Sequence, residues 1–86
     1  MARALEELRN DLAARIRSLR IERGITQERL ALEAEVDRTY VSQVERSVGN
    51  PSLQVLAKIA GVLNVDVQDL FEPGATRPDL RRATPK

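Results

Sequence analysis

The sequence predicts an all-α domain of five helices, and three observations carry that expectation. Apolar residues recur at helical spacing, capping and breaking residues stand where such helices start and stop, and no stretch alternates as a half-buried strand does. Apolar residues make up 42% of the chain and aromatics only 2%, so the core must be aliphatic. With 31% charged residues in a chain of 86, this suits one soluble helical domain.

Leu5, Leu8, Leu12, Ile16 and Leu19 share one helical face and predict a first helix over 5–23. Gly24 can take the left-handed conformation that closes it, with Ile25 folding back. Thr26 is a good N-cap, and Leu30, Ala31 and Ala34 predict a second helix over 27–34. A break at Glu35-Val36 leads to Asp37, a second cap. Val41 and Val44 then predict a third helix over 38–46. Ser47-Val48-Gly49-Asn50-Pro51 reads as a loop. Leu53, Leu56, Ile59, Ala60 and Leu63 predict a fourth helix over 52–63. Asp66 is placed to cap a short fifth over 67–72, carrying Val67, Leu70 and Phe71. The domain thus spans 5–72. Pro73, Gly74, Pro78 and Pro85 punctuate a polar, basic tail over 73–86, expected to be disordered.

The chain has no Cys and no His, which removes disulfides, thiolate nucleophiles, imidazole bases and the usual zinc ligands. No nucleophile–base pair, phosphate loop or metal cluster is legible, so no enzyme, cofactor, metal or small-molecule ligand is expected. No apolar run approaches the roughly 20 residues of a membrane span. The start, Met1-Ala2-Arg3-Ala4-Leu5-Glu6-Glu7, does not read as a secretory signal, and a cytoplasmic location is expected.

Net charge is only +1, which alone does not suggest a nucleic-acid partner. Its distribution says more. Residues 1–23 hold six basic and four acidic side chains, and residues 24–51 hold three and five. Residues 52–72 hold one and three, and the last fourteen hold four and one. A polyanion must therefore be met by a folded face and not by bulk charge.

Residues 27–46 form a helix-turn-helix candidate. The second helix of such a pair enters the major groove, so its outer face must offer hydrogen-bonding side chains. Val36, Val41 and Val44 are the inward positions here, and Arg38, Thr39, Ser42, Gln43 and Arg46 the outward ones. Arg can bond guanine in a bidentate way, Gln can do so with adenine, and Thr offers a methyl to thymine. Tyr40 sits beside this face.

Thr26-Gln27-Glu28-Arg29-Leu30-Ala31, Val36-Asp37-Arg38-Thr39-Tyr40-Val41-Ser42-Gln43-Val44-Glu45-Arg46 and Asn50-Pro51-Ser52-Leu53 carry a resemblance. Over about residues 12–71 the chain resembles the phage-repressor-type (XRE) helix-turn-helix family. It is most similar to controller proteins of restriction–modification systems. The resemblance implies that Gln27 bonds a phosphate and braces the reading helix, at a helix N-terminus whose dipole favours phosphate. It implies that Arg38, Thr39, Ser42 and Gln43 face base edges, that Tyr40 and Arg46 contact bases or backbone, and that Asn50 reaches phosphate. Arg20 and Glu45 match a structural ion pair of the family. Two positions depart from the pattern. Glu35 stands where the turn usually has Gly, and Gly49 where relatives often have Arg. A phosphate contact is thereby missing, and the tail cations Arg77, Arg81, Arg82 and Lys86 are placed to offset it.

Plainer readings exist for these residues. Thr39 and Ser42 could satisfy local backbone groups, Tyr40 could be packing, and Arg46 could cap its own helix. Arg9, Arg15, Arg17 and Arg23 read as a solvated face of the first helix.

One reading helix covers few base pairs, which favours a homodimer on two half-sites of double-stranded DNA. Val55, Val62, Val65, Val67, Leu70 and Phe71 exceed what one inner face needs and are the candidate dimer interface. The expected function is a homodimeric transcription regulator on a palindromic operator, of the controller type. The alternatives are an antitoxin-type or other small XRE regulator, whose tail would meet a partner, and a protein-interaction module on the same fold.

Overall fold

The computed structural model describes residues 3–72. The tail over 73–86, its expected disorder and its four cations lie outside the described residues. Among the described residues there are four α-helices: α1 (Leu5–Glu22), α2 (Gln27–Ala34), α3 (Arg38–Glu45) and α4 (Leu53–Leu63). The expected fifth helix is instead a 3-10 segment, Val67–Phe71. Five residues close too few i→i−4 bonds to offset helix nucleation, and the tighter 3-10 turn serves as a short connector. Among the described residues no strand occurs.

Helix starts follow local chemistry. Thr26 Oγ1 accepts from the Arg29 N–H at 3.0 Å, and Ser52 Oγ from the Val55 N–H at 3.1 Å. α1 begins on Ala4, whose N–H donates to Glu7 Oε1 at 3.0 Å. Asp66 donates its N–H to Asp69 Oδ2 at 3.1 Å. Asp37 has the extended backbone of an N-cap, but its side chain makes no capping bond, so that expectation is corrected.

All four α-helices end in one way. A residue with positive φ follows each, and two backbone N–H groups fold back onto the last turn. At Gly24 (φ 70°), the Gly24 N–H reaches Ile21 O at 2.9 Å and the Ile25 N–H reaches Arg20 O at 3.2 Å. Glu35 (φ 59°), Ser47 (φ 62°) and Asn64 (φ 63°) do the same for α2, α3 and α4. Asn visits this region readily, whereas for Glu and Ser it costs roughly 1–2 kcal/mol. Both strained residues flank α3. Glu35→Gly relieves the strain but adds freedom to the unfolded chain, about 0.5–1 kcal/mol. The expected net is a gain of between zero and about 1.5 kcal/mol in urea melts. A loss beyond about 1 kcal/mol contradicts the strain argument. Gly49 also has positive φ, at 78°, so an Arg there would be strained.

The core is aliphatic, as composition demands. Ile16, Leu30, Val41, Ile59 and Leu70 are fully buried, joined by Leu12, Ala31, Ala34, Val44, Leu56, Ala60 and Leu63. Each large side chain contributes roughly 1.5–3 kcal/mol by leaving water. α1 packs on α3 and the 3-10 segment, α2 on α3 and α4, and α4 on the 3-10 segment. α3 is thus held from two sides.

Two expectations fail at α1 and the 3-10 segment. Arg15 is not on a solvated face: it is 6% exposed, and its Nε donates to the Asp69 carbonyl at 3.0 Å. It stands three residues after Leu12, on the buried face of α1 (Leu12, Ala13, Arg15, Ile16), and adds a second donor to the Asp69 carbonyl, which also accepts from the Glu72 N–H at 3.3 Å. Arg3 adds a second clamp, donating to the Phe71 carbonyl at 2.9 Å while paired with Asp11. Leu70, expected at a dimer interface, is fully buried within the single chain. It is the residue by which the 3-10 segment enters the core, so it cannot face a partner.

Candidate nucleic-acid interface

α3 turns its two valines, Val41 and Val44, into the core and its polar residues outward. Arg38, Thr39, Tyr40 and Arg46 are exposed, and Ser42 and Gln43 are half-buried. The expected base-facing residues therefore lie on one outer surface. Tyr40 is 47% exposed and stands over a shallow cleft it shares with Gln43, Val44, Val48, Asn50 and Pro51. Arg46 leans back along its own helix, with Nε 3.4 Å from the Ser42 carbonyl, a long bond that a phosphate oxygen would outcompete.

The underside of α3 is fixed by a charged brace. Glu45 accepts from Arg20 twice, Nε to Oε2 at 2.7 Å and Nη2 to Oε1 at 3.0 Å. The Arg20 and Glu45 side chains are 14% and 3% exposed respectively, so this pair is shielded from salt and water. Arg20 Nη1 also donates to the Ile25 carbonyl at 2.9 Å, which ties in the turn before α2. Gln27 Nε2 donates to Glu45 Oε1 at 3.1 Å. One carboxylate thus joins α1, α2 and α3 and sets the angle at which α3 is presented. Gln27 has a second amide hydrogen, available to a phosphate at the N-terminus of α2.

The loop after α3 folds back on the helix. The Val48 N–H donates to the Gln43 carbonyl at 2.9 Å. Asn50 is exposed at its end and is bonded to Arg9 of α1, whose Nη2 donates to Asn50 Oδ1 at 2.8 Å. Arg9 is thus not the free solvated cation that the sequence leads one to expect. The two residues are 41 apart, and no local spacing announces the pair. Arg17 and Arg23, the other α1 cations, are exposed.

Five of the six residues expected at a dimer interface, Val55, Val62, Val65, Val67 and Phe71, are half-buried and pack against the core. Leu53, on the first turn of α4, is 71% exposed. No cluster of metal-ligating side chains occurs among the described residues, and no described helix is long and apolar enough to cross a membrane.

Two short helices joined by a tight left-handed turn, with the second offering hydrogen-bonding side chains from a braced frame, define a helix-turn-helix domain. The chain belongs to the XRE-type helix-turn-helix family of transcription regulators: residues 16–70 match the family model described as "Helix-turn-helix". It is 40% identical over 75 residues to a hypothetical transcription factor of Neisseria meningitidis serogroup B, covering 87% of this chain and 71% of that protein. The crystal structure of the hypothetical transcription factor NHTF from Neisseria superposes with a TM-score of 0.78 at 38% identity, covering 93% of this chain and 92% of that one. The restriction–modification controller protein C.AhdI from Aeromonas hydrophila gives a TM-score of 0.70 at 38% identity, covering 73% of this chain and 96% of that one.

Proposed function

We propose that the chain is a sequence-specific transcription regulator that binds a palindromic operator as a homodimer, of the controller type found in restriction–modification systems. The observation that carries this is the outer face of α3, where Arg38, Thr39 and Tyr40 stand exposed beside Ser42 and Gln43 on a helix fixed from beneath by Glu45. A protein-interaction module would place apolar or acidic residues there. Arg38, Thr39, Ser42 and Gln43 read base edges, Tyr40 and Arg46 act at the margin, and Gln27 and Asn50 hold phosphates. Such positioning and reading groups are both needed, because phosphate contacts set register and base contacts set sequence.

The half-buried Val55, Val62, Val65, Val67 and Phe71, with exposed Leu53, form the face on which two copies meet. The likeness to a controller protein supports the subclass, since this chain covers 96% of C.AhdI. Repression or activation then follows from where the site lies relative to the promoter.

Selection from a pool of random duplex DNA tests this reading. The expected product is a pair of inverted half-sites with centres about 10 bp apart, or a multiple of that. Enrichment of no sequence over the starting pool contradicts base reading, and enrichment of a single unpaired half-site contradicts the dimer.

A further inference from the structure

Arg9 is the unexplained cation of this domain. Its Nε is buried with no hydrogen-bond partner, and the one bond it makes among the described residues goes to Asn50. Arg9 also helps to line an apolar cleft, with Leu5, Leu8, Leu12, Leu56 and Phe71. A residue kept there for stability alone would fill the cleft with apolar atoms and leave no buried N–H orphaned. The contact with Asn50 is therefore the feature to explain.

We propose that Arg9 is a positioning residue for DNA binding: it orients the Asn50 amide so that the amide donates to a DNA phosphate. The inference rests on the reading of Asn50 as a phosphate contact. Arginine offers only donors, so the atom of Asn50 that faces Arg9 must be the carbonyl oxygen. The Asn50 Nδ2, with both its hydrogens, is then directed away from Arg9. Without Arg9 the amide is free to rotate, and half of its orientations present an oxygen to a negatively charged phosphate. The Asn50 backbone is already restrained by Pro51, which holds the residue before it out of the helical region. The side-chain orientation is what remained to be set, and α1 sets it from across the fold.

The test measures affinity for the duplex recovered by selection, using the full chain and the variants Arg9→Met, Asn50→Ala and the double variant, with thermal melts of each. Met keeps the apolar stem in the cleft and removes the donors. Asn50→Ala is expected to weaken binding about tenfold, as loss of a hydrogen bond to a charged group. Arg9→Met is expected to weaken it similarly, and the double variant no further than either. The slope of log affinity on log salt should stay unchanged in Arg9→Met, and Arg9→Lys should recover part of the loss.

Independent effects that multiply in the double variant overturn the proposal. So does wild-type binding by Arg9→Met, or a slope lowered by about 0.9, which makes Arg9 itself a phosphate ligand. If Asn50→Ala binds as the wild type does, the phosphate reading of Asn50 fails and this inference with it. If Asn50→Ala weakens binding and Arg9→Met does not, only this inference fails.

Discussion

Glu45→Ala is expected to lower the unfolding free energy by about 3 kcal/mol, the scale of breaking a buried ion pair by removing one partner. Its carboxylate is 3% exposed and accepts two bonds from Arg20 and one from Gln27. Removal leaves the Arg20 guanidinium, 14% exposed, with only the Ile25 carbonyl as its recorded acceptor. In a domain of this size the melting temperature should fall by roughly 10–20 °C. The effect should be coupled: Arg20→Ala/Glu45→Ala should lose much less than the sum of the two single changes. A Glu45→Ala melt within about 0.5 kcal/mol of wild type would show that the brace contributes nothing. Because the same carboxylate holds Gln27, DNA affinity should fall in the variant even at temperatures where it is folded.

Leu70→Ala is the second large effect, expected to cost about 2–5 kcal/mol as a large-to-small change in a packed core. Leu70 is fully buried within one chain and anchors the 3-10 segment, whose carbonyls are held by Arg15 and Arg3. Losing that anchor loosens the segment from α1 and α4 together. The loss should appear at every protein concentration. Were Leu70 an intersubunit contact, the variant would instead dissociate on dilution while its monomers kept the wild-type melt. Phe71, next in sequence but half-buried, gives the contrast: Phe71→Ala should change self-association more than it changes the monomer melt.

Helices were legible where a single face carries the signal. Leu5 to Leu19 marked α1, and Thr26 and Gly24 marked its junction with α2, because a hydroxyl cap and a left-handed glycine act through adjacent residues. Ser47 carries no such signal: any residue can be forced into positive φ by its neighbours, and nothing in its type says so. The 3-10 segment was mistaken for a helix because capping and an apolar pair look alike in both. Arg15 departs from the solvated-face expectation because a charge can be buried where it finds a partner across the fold, here the Asp69 carbonyl.

The interface divides in the same way. The outer face of α3 could be read from periodicity, since the two valines fix which side is inward. The Arg20–Glu45 pair came from family resemblance and not from spacing, and the structure places it at bonding distance. The Arg9–Asn50 contact joins residues 41 apart and needed the fold itself. Surplus apolar residues on α4 and the 3-10 segment could not be divided between core and partner before Leu70 was seen buried.

Base reading by α3 is probed by Arg38→Ala. Affinity of the variant and the wild type should be measured on the selected duplex, on its single-base variants and on random duplex of equal length. On the selected site the variant should lose about 1–3 kcal/mol, and discrimination at one base pair should relax, while binding to random DNA is nearly unchanged. Equal loss on selected and random DNA would reduce Arg38 to a phosphate contact and contradict base reading by α3.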